Sequence, residues 1–398
     1  MSWRVTDAMQ ERERLMKAWM SGRHTVSELA EAYGISRKTA YKTRKRYLEG
    51  GAEALKDRPP IAHSHPRAVA PDVIAAVIRA KQARPLWGPL KLLPGPDESA
   101  AIVARWPAPS TRGAILAREG LTRPRRRRRR VPPNTEPFRA CHEANDLWCA
   151  DFKGWFRTRD GARCNPLTVM DAYSRNLLCC RATLSADYAC VRPAFEALFR
   201  DYGLPRAIRT DNGPPFASTS VGGLSSLSVW WVKLGIFPDR IDPGHPEQNG
   251  RHERMHLTLK LEGCQPPQAD LPSQQLSFDA FRHTYNRERP HQALDFETPA
   301  RLYRPSPRLY PAKLEDPIYP PATLVRRVRS NGEIRWRGGL IFISETLCGE
   351  AIAISEAELG LEVHFGPIRL GRLDPRQERL VRPTSPRPHL TSVTHARS

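Results

Sequence analysis

Apolar positions along residues 9–58 recur at helical spacing. Val26, Leu29 and Ala30 fall on one face of a first helix, Gly34 interrupts the pattern, and Ser36 stands where an N-cap opens a second helix. That second helix carries Arg37, Lys38, Lys42, Arg44, Lys45 and Arg46 with no acid among them. A helix, a glycine turn and a basic helix make the helix-turn-helix order, in which the second helix enters a major groove. A helical hairpin with a solvated basic face is the plainer alternative, but such a run of cations without one acid argues against it. Residues 68–122 suggest a second unit of this kind. Val73, Ala76, Val77 and Ala80 are spaced for a helix, Trp87-Gly88-Pro89 makes a turn, and residues 110–116 read as a helix capped by Ser110.

From Asp146 the period changes to strands. Residues 147–152, 167–171 and 176–184 are short apolar runs; Val191, Phe195, Leu198, Phe199 and Tyr202 then form a helical stripe that Gly203 ends. Residues 207–210 give a fourth strand, 222–235 a helix after a Ser/Gly-rich stretch, and 247–261 a longer helix opened by Asn249-Gly250. Strands followed by helix-strand-helix alternation predict a mixed α/β layer structure over 137–300. A Pro/Arg-rich linker is expected at 301–319. Five short strands within 320–375, with turns at Asn331-Gly332 and Gly338-Gly339, predict a small all-β barrel. The polar, proline-rich residues 376–398 read as a disordered tail.

Charge sharpens this picture. The 398 residues carry a formal net charge of +21. Residues 1–130 hold 28 basic and 12 acidic side chains, whereas the remaining 268 hold 35 and 30. A surplus concentrated at one end points to a polyphosphate partner, since neutralising phosphates releases condensed counterions. Arg125, Arg126, Arg127 and Arg128 belong to a run of six arginines that cannot pack in a core; residues 123–136 are therefore an exposed linker suited to lie along DNA phosphates. No stretch reaches the ~20 apolar residues a bilayer requires, and the first residues lack the apolar core of a signal peptide, so a cytoplasmic, nucleoid-associated protein is expected. The eight cysteines show no Cys-x-x-Cys pair or zinc-finger spacing; reduced thiols are expected, without disulfides or structural zinc.

Three acids stand in informative places. Asp151 lies inside an apolar strand, where an unpaired carboxylate is costly; Asp211 follows a strand in Thr210-Asp211-Asn212-Gly213; Glu253 lies near the start of a helix. Carboxylates brought together repel unless a divalent cation neutralises them, and oxygen-only ligands favour Mg²⁺ or Mn²⁺. Two such ions about 4 Å apart can activate a nucleophile and stabilise a leaving oxygen at phosphorus.

Four segments occur in a telling order: Trp148-Cys149-Ala150-Asp151-Phe152, Met170-Asp171-Ala172-Tyr173-Ser174-Arg175, Thr210-Asp211-Asn212-Gly213-Pro214-Pro215-Phe216, and the helix start Asn249-Gly250-Arg251-His252-Glu253-Arg254. With Tyr285-Asn286-Arg287-Glu288-Arg289-Pro290-His291 after them, the chain resembles insertion-sequence DDE transposases, relatives of retroviral integrase. The resemblance implies an RNase H-like core with Asp151, Asp211 and Glu253 as catalytic metal ligands, and a pair of Mg²⁺ ions for which Mn²⁺ can substitute. It also implies hydrolysis at the element ends followed by attack of the freed 3′ hydroxyl on target DNA. Double-stranded DNA is then the partner, and joining two ends calls for a homo-oligomer. Asp211 and Glu253 are 42 positions apart, longer than the family's usual interval, and residues 217–228 read as a surface loop insertion that accounts for the surplus.

The neighbouring residues have plainer roles. Asp171 is as suited to holding a turn with Ser174 and Arg175 as to metal, and is left out of the ligand set. Glu247 suits the helix N-terminus. His256 and Lys260, three and seven positions after Glu253, either contact DNA phosphates on its face or form a solvated polar face. Two other functions compete: a DNA-binding regulator with an inactive core, for which the N-terminal third would suffice, and a general RNase H-like nuclease, which would not need two DNA-reading modules.

Overall fold

The computed structural model describes residues 7–57, 68–122, 141–241, 250–321, 323–358, 360–374 and 379–383, in two compact units that divide after residue 70. In the first unit α1 (Ala8–Met20), α2 (Val26–Ala32) and α3 (Arg37–Gly50) precede a 3-10 turn at Ala52–Leu55. Each helix has a side-chain cap. Asp7 accepts from the Met9 N–H, Thr25 and Glu28 exchange reciprocal bonds in a capping box, and Ser36 accepts from the Thr39 N–H. Gly34 makes the α2–α3 turn at φ 63°, and Leu15, Met16, Leu29 and Leu55 fill the core beneath.

The second unit opens with α4 (Pro71–Ala83), α5 (Ala100–Ala104) and α6 (Pro109–Arg118). Val73, Ala76 and Val77 face inward, as their spacing predicts. The expected Ser110 cap is not there. Pro109 takes the first helical position, where its missing N–H is no loss, and Ser110 lies within the first turn behind Ala108. Arg112 of this helix is buried and donates to the Leu92 carbonyl at 2.7 Å, so it serves the unit's own structure.

The central sheet contains β1 (Trp148–Phe152), β2 (Phe156–Arg157), β3 (Arg163–Asp171), β4 (Leu177–Thr183), β5 (Ala207–Thr210) and β6 (Phe237–Arg240). Its order is β2-β3-β1-β5-β6, with β4 also on β3. β3 runs antiparallel to β1, β2 and β4, whereas β5 and β6 continue from β1 in parallel. Parallel neighbours need crossovers, and α7 (Tyr188–Tyr202) and α8 (Ser226–Lys233) supply them. The stripe Val191, Phe195, Leu198 and Phe199 packs with Trp230 and Trp231 over Trp148, Leu167 and Val169. The opposite face receives α9 (Gly250–Glu262) and α10 (Leu271–Arg287), which bury Met255, Leu259, Phe278, Phe281 and Tyr285 against Met170 and Leu177. This is the expected mixed α/β layering.

Residues 217–228 are not a surface loop. Val221, Leu224 and Leu227 recur every third position and are buried, and α8 begins inside the segment behind a Ser225–Ser228 capping box. Ser220 and Thr346 share a hydroxyl bond of 2.8 Å, and a side chain at Gly222 would press on Ile368 and Leu370. The segment is a seat for the C-terminal strands.

Those strands do not close into a barrel. β7 (Leu324–Arg327), β10 (Ala351–Ala357), β11 (Gly360–Phe365), β12 (Ile368–Asp374) and β13 (Arg379–Val381) form an open sheet of order β13-β12-β11-β10-β7. β8 (Glu333–Trp336) and β9 (Gly339–Phe342) pair only with each other among the described residues. Arg337 and Gly338, both at positive φ, make a two-residue turn that pairs β8 with β9 locally, so the ladder stops at β7 and at β13. Residues 379–381, expected in a disordered tail, are strand β13; residues 384–398 lie outside the described residues.

The expected linker 301–319 is strapped to the core. Arg308 donates to the carbonyls of Pro205 (2.8 Å), Leu234 (3.1 Å) and Gly235 (2.9 Å), and the Ser306 hydroxyl donates to Leu204 (2.7 Å). The strap presses on Gly203, where a Cβ would lie 2.5 Å from the Ser306 carbonyl oxygen at a φ of +76°. Gly203→Ala is therefore expected to lower the unfolding free energy by about 1–3 kcal/mol. Urea denaturation should show a smaller loss for Gly120→Ala, where φ is also positive but nothing lies within 4 Å.

Candidate active site

Strand register fixes the surroundings of Asp151. Asp151 stands opposite Thr168 of β3, and β1 pairs with β5 through Trp148–Ile208 and Cys149–Arg209. That pairing ends at Cys149–Arg209, and Asp211 is the residue that follows β5. The Asp151 side chain is 20% exposed. Burial raises the Asp211 carboxyl above the usual range, against the lowering effect of the Gly213 N–H at 3.2 Å.

α9 is oriented by a different set of residues from the one its sequence suggested. His252, Met255, His256 and Leu259 recur at i, i+3, i+4 and i+7 and form the buried face, while Glu253 and Lys260 are exposed. His256, expected at DNA phosphates or on a solvated face, is interior. The Thr168 hydroxyl lies 2.7 Å from Nε2 of His252 and 2.7 Å from Nε2 of His256, and donates to the Asp151 carbonyl at 3.0 Å. A hydroxyl has one proton and two lone pairs. With its proton on the Asp151 carbonyl, it accepts from both rings, which fixes both imidazoles as neutral Nε2–H tautomers.

The two Nδ1 atoms are then lone-pair acceptors. That of His256 faces the Asp151 carboxylate oxygen Oδ2 at 3.8 Å, and that of His252 is buried without a hydrogen-bond partner among the described residues. Burial pulls the imidazoles far below their ordinary value near 6.5, His252 to about 3 and His256 to about 2, with His252 and Lys153 adding to the effect on His256. One ligand atom from each of Asp151, His252 and His256 lies within 4.8 Å of the other two; Asp211 and Glu253 do not belong to that group.

Asp171 is a turn anchor. Fully buried, it accepts from the backbone of Asn145 (2.8 Å) and from the backbone and hydroxyl of Ser174 (2.8 and 2.6 Å), and burial raises its carboxyl. Beside α9, burial and the charges of Arg289 and Arg254 push the Lys91 ammonium down to about 8. On the basic helix of the first unit, Arg37, Lys38, Lys42 and Lys45 are exposed. Arg44 and Arg46 are partly covered, Arg44 lying 5.4 Å from the Trp19 ring centroid and Arg46 bonding the Lys56 carbonyl. Arg125 to Arg128 and Glu247 lie outside the described residues. The sequence reading missed His252 and Thr168. The apolar positions Met255 and Leu259, three and seven after His252, carried the signal.

Residues 141–246 match an integrase core domain, residues 234–299 match a second domain of that description, and residues 11–60 match a helix-turn-helix domain. The chain thus carries integrase-type core sequence behind a helix-turn-helix, and the resemblance read from its motifs holds. It is 28% identical over 190 residues to an uncharacterized 31.7 kDa protein of insertion element IS407 from Burkholderia multivorans, covering 47% of this chain and 66% of that protein. An uncharacterized 39.2 kDa protein of insertion element IS476 from Xanthomonas euvesicatoria is 30% identical over 183 residues, covering 45% and 50%. The chain therefore spans just under two thirds of the first relative's length and half of the second's. The HTLV-2 integrase catalytic core domain in complex with magnesium overlays 41% of this chain and 99% of that one at 16% identity and a TM-score of 0.33, too slight a likeness to argue from. No helix among the described residues is long and apolar enough to cross a membrane.

Two predictions follow from the Thr168 bonds. Thr168→Val keeps the shape but leaves two buried ring N–H groups without an acceptor, so urea unfolding should show a loss of about 2–4 kcal/mol. Both imidazoles titrate lower in the folded chain than in the unfolded one, so below pH 6.5 the unfolded state binds more protons. In metal-free buffer, stability should be full above pH 6.5 and fall as pH drops toward 3, by up to about 1.4 kcal/mol per pH unit for each imidazole. Replacing either histidine with Gln should flatten that slope.

Proposed function

We propose that this chain is a DNA transposase whose helix-turn-helix binds the ends of an insertion element and whose core cleaves DNA and joins it to a target. The observation that carries the reading is the parallel pairing of β1, which bears Asp151, with β5, which Asp211 follows, together with a helix that bears Glu253 and is linked to the Asp151 carbonyl through Thr168. The integrase-type core match and the insertion-element relatives support it.

Asp151, Asp211 and Glu253 would hold divalent cations, Mg²⁺ or Mn²⁺, in a pair. Burial raises the Asp211 carboxyl, and a bound cation would offset that cost of holding its charge. Bound there, the ions would lower the pKa of an attacking water or hydroxyl and stabilise the leaving oxygen. The protein's own part is positional. β1 bears Asp151 and pairs with β5, which Asp211 follows; Thr168 sets the height of α9, and exposed Glu253 would stand at the rim where DNA arrives.

Arg37, Lys38, Lys42 and Lys45 would grip phosphates at the element ends, with one or two reading base edges. Arg44 and Arg46 are partly engaged within their own unit and would contribute less. Lys260, exposed on α9, and the arginine run 125–128 would track the duplex. Joining two ends implies at least two copies acting together on DNA.

A regulator with an inactive core is the second reading, favoured by Glu253 lying outside the group that Asp151 forms with the histidines. Strand-joining assays with end DNA separate the two. Asp151→Asn and Asp211→Asn should each retain end binding in gel shifts and lose at least about 10³-fold in joining, a barrier increase of roughly 4 kcal/mol. Joining undiminished in Asp151→Asn would refute the ligand assignment, and a wild-type chain that binds ends but never joins them is the regulator. Lys38→Ala and Lys42→Ala should weaken binding alike across sequences, each reducing the log–log salt slope by about 1.

A further inference from the structure

An oxygen-only cation pair leaves the two interior imidazoles without a role. We propose that Asp151, His252 and His256 form a mixed nitrogen–oxygen site for a borderline divalent cation of the Zn²⁺ class, on the α9 side of the Asp151 carboxylate. This deepens the transposase reading of the same site and rests on Asp151 being a metal ligand.

The proton count is the first ground. Thr168 uses up the Nε2–H of both rings, so each presents its Nδ1 lone pair, and neither lone pair meets a hydrogen-bond donor in the contacts described above. A ligating imidazole usually donates its other ring N–H to a fixed oxygen that sets tautomer and orientation. Thr168 is that oxygen for both rings at once.

Distance is the second ground. His256 Nδ1 and Asp151 Oδ2 are 3.8 Å apart, too far for a hydrogen bond. With metal–ligand bonds of about 2.1 Å, that separation corresponds to an angle of roughly 130° at a bridging ion. A modest carboxylate rotation brings this to tetrahedral. One donor atom from each of the three residues lies within 4.8 Å of the others, so small movements of ring and carboxylate bring the third ligand inside the roughly 4.2 Å that two such bonds span.

Ligand chemistry selects the ion. Mg²⁺ prefers oxygen and keeps its waters, whereas imidazole nitrogen suits Zn²⁺ and Co²⁺. Two imidazoles and one carboxylate leave a fourth position open. An ion seated there would share Asp151 with the proposed catalytic pair.

The test uses the full chain, stripped of metal, titrated with Zn²⁺ against a chromophoric chelator and with Co²⁺ by its visible absorption. Wild type should bind one more Zn²⁺ equivalent than His252→Gln or His256→Gln, and Co²⁺ should give a four-coordinate spectrum that both variants lose. Mg²⁺ in 100-fold excess should not displace the Zn²⁺. Gln keeps an amide N–H near the Nε2 position while removing Nδ1, so the bond to Thr168 and the metal-free melting temperature should persist. Equal Zn²⁺ stoichiometry in folded variants and wild type would overturn the proposal. So would displacement of wild-type Zn²⁺ by equimolar Mg²⁺, a result that needs no variant. If either occurs while Asp151→Asn still fails to join strands, the mixed site falls and the transposase reading stands. If Asp151→Asn joins strands normally, the assignment of Asp151 as a catalytic ligand falls whatever Zn²⁺ does.

Discussion

The Thr168 hydroxyl has three hydrogen-bonding positions, and all are filled by groups from different parts of the core. Its proton holds the carbonyl of Asp151 on β1, and its lone pairs hold two rings one turn apart on α9. No shift of α9 along its axis preserves both ring bonds, because His252 and His256 would leave the hydroxyl together. The height and rotation of the helix relative to the β1 carboxylate are thereby set by hydrogen-bond valence, and the apolar pairs Met255 and Leu259 supply the adhesion around it. Glu253 has its position through this arrangement, being the residue beside His252 on the solvent side.

Around that point the sheet divides labour by strand direction. The antiparallel β4-β3-β1 half is held by close local pairing, and the parallel β5 and β6 are added through helices that bury the large aromatics of the second layer. Asp211 follows the last residue of a parallel strand, where the chain leaves the ladder and a carboxylate can turn toward its neighbour. Asp171, left out of the ligand set, is enclosed by three N–H and O–H donors and holds the chain between β3 and β4.

Much of this was legible in the chain. The Ser36 cap, the Gly34 turn, the 207–210 strand and the Gly203 stop are local events decided by residue type and backbone preference, and they stand where the pattern put them. What escaped depends on partners far away in sequence. β6 contains Pro238 and Asp239, and reads as a loop until Arg209 on β5 is seen bonding Asp239 at 2.7 Å. Residues 217–228 look polar by composition, yet three apolar side chains suffice to bury the segment once the C-terminal strands lie over it. In α9 the acidic residue drew attention, and the choice between a face centred on Glu253 and one centred on His252 turned on which residues met β3. The barrel failed for a related reason: strand count is local, but closure needs pairing between strands distant in sequence.

The burial of Val221, Leu224, Val232 and Phe237 beneath Ile352, Phe365 and Ile368 has a bearing on how such chains can diversify. The C-terminal sheet is not cargo on a tether. It shares one apolar interior with the layers that carry Asp151 and Asp211, so recombination that exchanged it for an unrelated module would have to supply a matching underside. Drift at the buried positions between Val328 and Leu373 is thus constrained from within, by shape.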